Sequence, residues 1–344
     1  MGPFIKWEFK MKTFAMTVLA MAFAGIASIA NAAEFKPAVI YDMGGKFDSS
    51  FNEGVYNGIK RFTDETGVEV MDFEVTIEAQ RQQAMERMVQ RGATVVLGVG
   101  FAQADAINTV SEATTDVNYD INDVNWLDQP NLRQYAFKEQ EGSYLVGIAA
   151  AMASESGTVG FVGGMDVPLI RAFACGYRQG VKAANAEVAV LENMTGDTPA
   201  AWNNPGKGAE LTQSQIDRGA DVVYQAAGGT GVGVIQAAAD AGKFSIGVDS
   251  NQNHMAPGSV LTSMLKRVVV AAYETMNDAM SGSFETGIRN LGVAEGGVGW
   301  ALDENNASLI SAEMEAAING AADKIKSGDI VVHDYRADNS CPVN

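Results

Sequence analysis

The feature that most constrains this chain is a unit that recurs along it. A short apolar run ends in glycine or aspartate and is followed by a segment with helical spacing of apolar residues. Residues 38–41 (AVIY) stop at Asp42, and Gly44 and Gly45 then lead into helical spacing over 53–62. Candidate strands at 68–73, 93–99 and 118–121, with helical patterns at 77–90 and 102–113, complete a first set. A second set follows: a helix over 142–153, a strand over 158–162, a helix over 168–185, a strand over 187–191, a helix over 208–218, a strand over 221–226, a helix over 233–241 and a strand over 244–248. Strands alternating with helices of this length predict βαβ units and a parallel sheet. Two sets of similar size predict an α/β chain with two lobes. Segments 260–281 and 308–327 read as helix or strand plus helix and belong to one lobe or the other. No low-complexity linker separates the sets, so several short crossings are expected rather than one tether.

The strand ends carry a second message. Asp42, Gly100, Asp123, Gly163, Gly228 and Asp249 follow one another at these positions. Any one of them suits a turn or a helix cap. Six in succession, three of them aspartates, predict a ligand cleft at the carboxyl edges of the strands, where open α/β sheets bind small molecules.

Charge and motifs exclude other classes. The formal charge is −18, with no basic face to meet nucleic acid. Lys6, Lys10 and Lys12 flank an apolar stretch over 14–29, and Ala30-Asn31-Ala32 reads as a signal-peptidase site. Residues 1–32 are therefore expected to be a signal peptide cleaved after about Ala32, with Met11 an alternative start. The alternative is a membrane anchor, for which the apolar run is short. Export to the periplasm follows, and no cysteine stands at the cleavage point for lipid attachment. Export also permits a disulfide between Cys175 and Cys341, although a small core residue and a tail thiol would read the same. An enzyme would need chemistry the chain does not display. Its two histidines, His254 and His333, lie in no recognisable motif, and no HExxH, P-loop lysine or GxSxG is present. The first turn also lacks GxGxxG, so no cofactor and no metal are expected.

The motifs resemble one family. Tyr41-Asp42-Met43-Gly44-Gly45, followed by Asp48-x-Ser50-Phe51-Asn52, is similar to the opening of the basic membrane protein family, solute-binding proteins of ABC importers best known for purine nucleosides. The likeness continues through Glu141-Gly142-Ser143-Tyr144-Leu145-Val146-Gly147 and Gly160-Phe161-Val162-Gly163-Gly164. Phe173-x-x-Gly176-Tyr177-x-x-Gly180, Gly228-x-Thr230-Gly231-x-Gly233, Ile246-Gly247-Val248-Asp249-x-Asn251-Gln252 and Leu261-Thr262-Ser263-x-Leu265-Lys266 extend it over nearly the whole chain after the leader.

The resemblance implies a type I periplasmic binding protein fold, with two Rossmann-like lobes joined by three hinge crossings. The expected lobes are 33–139 with about 266–296, and 140–265 with about 297–344. It implies a nucleoside as ligand, a membrane permease as partner and a monomer. In the first lobe, Asp42, Phe51 and Asn52 would face the ligand, Phe51 stacking on the base. Asp123 would meet the base edge, although Asp120 competes for that place. In the second lobe, Gly229 beside Gly228 would admit the sugar, Asp249 would accept from ribose hydroxyls, and Lys266 would donate to the ribose or pair with Asp249. A second stacking ring would come from Phe173 or Tyr224, ahead of Trp202. A sugar or flavin-like solute on the same fold, or a sensor that signals to a membrane receptor, fits the same residues.

Overall fold

Two sheets with the same strand order organise the computed structural model, which describes residues 34–343. The leader expected over 1–32 lies outside the described residues. Residues from Phe35 onward form one compact unit among the described residues. Its first elements are β1 (Pro37–Tyr41), α1 (Phe51–Thr66), β2 (Met71–Glu74), α2 (Gln80–Gln90), β3 (Val95–Gly98), α3 (Ala104–Ala113), β4 (Asn118–Asn122) and β5 (Leu132–Phe137). Then come α4 (Glu139–Ala153), β6 (Thr158–Met165), α5 (Pro168–Ala184), β7 (Ala189–Gly196), α6 (Pro205–Asp217), β8 (Val222–Ala226), α7 (Gly231–Asp240), β9 (Phe244–Asp249) and β10 (Val260–Lys266). The chain ends with α8 (Val268–Ser281), β11 (Gly287–Leu291), β12 (Val298–Trp300) and α9 (Ala312–Ser327).

The first sheet runs β11-β5-β4-β3-β1-β2, with every neighbouring pair parallel. The second runs β12-β10-β9-β8-β6-β7 and is parallel except for the antiparallel β10–β12 pair. The central strands are buried because helices cover both faces of a parallel sheet. β1 and β8 are buried at every position. The architecture is the type I periplasmic binding fold.

Three crossings join the sheets: Lys138 between β5 and α4, Arg267 between β10 and α8, and residues 292–297 between β11 and β12. They lie side by side. Lys138 N–H donates to the Leu291 carbonyl (3.0 Å), Arg267 N–H to Gly297 (2.9 Å) and Gly297 N–H to Gly292 (2.8 Å). Backbone polar groups at the junction are thereby paired with one another.

Three strands escape the sequence patterns. β5 reads LRQYAF, and its Arg133 and Gln134 are buried, so polar letters mask a core strand. β11 is an edge strand whose side chains are largely accessible, and β12 spans only three residues, so neither shows the alternation that would mark it.

Cys175 on α5 and Cys341 in the tail form a disulfide across 166 residues. Around it, His333 N–H donates to Gln179 on α5, and Arg336 reaches the Phe137 carbonyl at the end of β5. Replacing both cysteines with serine is expected to cost about 2–4 kcal/mol, mainly through the freed loop of the unfolded chain. Urea unfolding with and without reductant checks this. Equal midpoints for the oxidised native protein and the double-serine variant would show that the bridge adds nothing.

Candidate functional site

The carboxyl edges of the two sheets face each other across a cavity. It encloses about 600 Å³ of space outside atoms, part of it open to solvent, within the roughly 300–1,000 Å³ usual for small-molecule sites. Asp42 lies at its wall just after β1, Asp123 just after β4, Asp249 at the end of β9 and Lys266 at the end of β10. Phe51 opens α1 from one side, and Phe173 stands on α5 on the other.

Lys266 is the centre of this arrangement. It is 3% exposed, and its ammonium lies 2.6 Å from Asp123 Oδ1 and 3.0 Å from Glu139 Oε1. The rings of Phe51 and Phe173 have their centroids 5.0 and 5.6 Å from the same nitrogen. Burial works against the charged lysine, but Asp123, Glu139 and Asp249 together hold its pKa above the ordinary value. Its ammonium thus pairs with two carboxylates while Lys266 still lines the cavity. Glu139 also pairs with Arg336 (2.9 Å), and Arg336 with Asp334 (2.9 Å), so a chain of alternating charges runs from the cavity to the C-terminal tail.

Asp123 and Asp249 occupy the same place in the two sheets, after β4 and at the end of β9, third in each strand order. Both adopt left-handed backbone, at φ 65° and 62°. That region is uncommon for non-glycine residues, and aspartate is among those that tolerate it. Left-handed backbone of this kind clusters at ligand sites. Burial pushes the Asp249 carboxyl up to about 6, against the pull of Lys266 and of the Ser50 hydroxyl. Burial also raises Asp123, with Lys266 opposing.

The first turn is braced from within. Asp48 accepts from the backbone N–H groups of Ser50 (2.8 Å), Asn52 (3.0 Å) and Glu53 (3.1 Å), satisfying the open N-terminus of α1. Asn52 donates to Asp48 (3.1 Å) and accepts from the Asp42 N–H (3.2 Å). Asn52 therefore lines the cavity chiefly as a brace, with one N–H left over. Asp42 is paired with Arg81 of α2 at 3.1 Å, and this neighbour partly offsets the rise that burial imposes on its carboxyl.

The same turn touches the opposite lobe. Ser50 Oγ donates to Asp249 Oδ2 (2.6 Å), Ser250 Oγ to the Ser50 carbonyl (2.9 Å), and Gln252 Nε2 to the Ser49 carbonyl (2.8 Å).

Two of the expected site residues lie elsewhere. Tyr224 points away from the cavity into the core of the second lobe. Its hydroxyl meets Ser143 (3.2 Å), and its ring packs on Phe161 and Tyr177. Side chains alternate across a strand, and Tyr224 falls on the core face of β8. Gly228 lines the cavity, and Gly229, the next residue of the turn, does not. Asp120, the rival of Asp123, is fully buried and accepts from Thr275 of α8.

Trp202 does line the cavity, from the loop before α6. Its ring lies on Gly164, where a Cβ would stand 2.1 Å from it, so only glycine fits beneath. Arg81, Glu139 and Arg336 were not anticipated. Each is an ordinary charged residue in sequence, and only its partner gives it a role.

Comparison with known proteins places this geometry. Residues 35–335 match the Bmp family model, described as ABC transporter substrate-binding protein PnrA-like. The chain belongs to the Bmp family. Basic membrane protein A2 of Borrelia garinii subsp. bavariensis is 31% identical, over 86% of this chain and 88% of that one. The ABC transporter nucleoside-binding protein BmpA of Lactococcus lactis subsp. cremoris is 28% identical, over 94% of this chain and 99% of that one. A solved ABC transporter solute-binding protein from Aeropyrum pernix K1 superposes with a TM-score of 0.80 at 28% identity, covering 87% of this chain and 94% of that one. This Bmp chain is thus an ABC transporter substrate-binding protein, and its cavity lies between the two sheets. Among the described residues no helix is long and apolar enough to cross a membrane, and no group of three or more His, Cys, Asp or Glu is placed to hold a metal ion.

Proposed function

We propose that the protein is an exported receptor that binds a purine nucleoside between its lobes and delivers it to a membrane permease. The observation that carries this reading is the pair of phenylalanines, Phe51 and Phe173. They come from opposite sides of one cavity and lie on the same lysine, with Asp123 and Asp249 beside it. A flat heteroaromatic ring suits two aromatic faces, each worth about 0.5–1.5 kcal/mol beyond area burial. Ribose hydroxyls suit ionised carboxylates, which form the stronger class of hydrogen bond. The name of the Lactococcus relative points the same way.

Binding would work through closure. A ligand touching Phe51 in one lobe and Asp249 in the other favours the conformation in which both are near. The Ser49–Ser50 contact with Ser250 and Gln252 would share in that preference. No bond is made or broken.

Titration calorimetry of the chain lacking residues 1–32 against nucleosides, free bases, sugars and a flavin tests the reading. Tight binding of at least one purine nucleoside, with its base alone weaker, is expected. Tight binding of a sugar with none of any nucleoside would replace the ligand class.

A further inference from the structure

A second, larger chamber adjoins the cavity between the sheets. It holds about 1,070 Å³ of space outside atoms, part of it open to solvent. Phe101, Asp123 and Leu169 line both spaces. Phe101 begins the short turn after β3 in the first lobe, and Leu169 lies in the first turn of α5 in the second. The third shared residue, Asp123, is held by Lys266 at 2.6 Å and is not free to move. The apolar side chains of Phe101 and Leu169, both half-buried, therefore define the wall.

The far side of the chamber carries Trp126, 61% exposed, together with Asn125, Asp334 and Arg336. The Arg336 guanidinium already meets Glu139, Asp334 and the Phe137 carbonyl. With Asp123 and Asp334 also on its wall, the chamber offers no uncompensated cation to a phosphate. Its chemistry suits an uncharged group with an aromatic or polar surface.

We propose that Phe101 and Leu169 form a partition that limits the ligand to the size of an unsubstituted nucleoside, and that removing it opens the neighbouring chamber to an uncharged substituent. The proposal rests on the nucleoside reading of the main cavity. A wall of this kind discriminates by exclusion, since an added group must either displace these side chains or keep the lobes apart.

The test compares adenosine with N6-benzyladenosine and 5′-benzylthio-5′-deoxyadenosine, which place the same group at opposite ends of the nucleoside. Wild type is expected to bind both benzyl derivatives at least ~100-fold more weakly than the parent. Phe101→Ala or Leu169→Ala should bring one derivative to within ~10-fold of the parent, with Phe101→Leu intermediate. The ratio of affinities on one protein cancels any general loss of stability. Equal binding of parent and derivatives by wild type, or an unchanged ratio in both alanine variants, overturns the partition.

Absence of nucleoside binding by wild type would defeat the ligand class and leave the wall to a second readout. Both native cysteines are paired, so Val248→Cys adds a single free thiol to the cavity lining. Cutting back Phe101 or Leu169 in that background should raise alkylation by a bulky aromatic maleimide relative to iodoacetamide several-fold. An unchanged ratio again overturns the proposal.

Discussion

Replacing Lys266 with methionine is expected to destabilise the protein by about 3–5 kcal/mol, the cost of breaking a buried ion pair by removing one partner. It should also abolish ligand binding. Methionine is close to lysine in length but removes the charged nitrogen that lies 5.0, 5.1 and 5.6 Å from the ring centroids of Phe51, Phe137 and Phe173. What disappears is the cation that Asp123 and Glu139 share and that Asp249 faces. Three buried carboxylates would then depend on Arg336, which touches only Glu139 among them. The carboxylates would recover part of the loss by taking up protons, so the deficit should shrink as pH falls. Urea unfolding of both proteins near neutral and mildly acidic pH checks magnitude and trend together. A loss below about 1 kcal/mol at neutral pH would show that the lysine is not the keystone of the cluster.

The second large effect concerns Asp249. Asp249→Ala should weaken ribose-bearing ligands by roughly 1.5–3 kcal/mol, the range for a charged hydrogen bond. Wild-type affinity should depend on pH for the same reason. Hydroxyl donors select the ionised carboxylate, and Asp249 titrates at about 6, faced by Lys266, Ser50, Asp123 and Asp48. Affinity is therefore expected to fall as pH drops through about 6, by no more than about tenfold per unit. Stability runs the other way. The folded pKa lies above the ordinary value of 3.8. The contribution of protonated Asp249 is thus fully present below about 3.8 and is lost as pH rises through about 6. Opposite trends for folding and binding across this window are the signature. Calorimetry in buffers of different ionisation enthalpy should also show proton release near pH 6. A flat affinity profile together with an unaffected alanine variant would remove Asp249 from the site.

The site was legible where its chemistry sits at a strand end. Asp42, Asp123 and Asp249 are found by locating where a strand stops, because the carboxyl edge of a parallel strand is a local property of sequence, whereas the place of Lys266 came from the family resemblance. Phe51 also came from the resemblance, on the turn that joins the first strand to its helix. Tyr224 and Gly229 show the limit of that logic. The strand around Tyr224 was recognised, but which face its ring takes depends on parity, and one residue along the turn exchanges Gly229 for Gly228. Trp202, the ring ranked last of the three candidates, lines the cavity, with its ring packed on Gly164.

By itself, the sequence determined the rhythm of strands and helices, the doubling into two lobes and the edge at which a ligand would sit. These rest on the spacing of apolar residues and on turn chemistry, both of which act within a few residues. Tertiary structure alone decided what meets across the cleft. It paired Cys175 with Cys341 and set Asp123 and Asp249 at matching places in two sheets. It gave Asp42 to Arg81, and Glu139 to both Lys266 and Arg336. Such pairings join residues from 39 to 197 positions apart. A charge carries no local mark of its partner; burial chooses the partner when the lobes come together and an unpaired charge becomes too costly to keep.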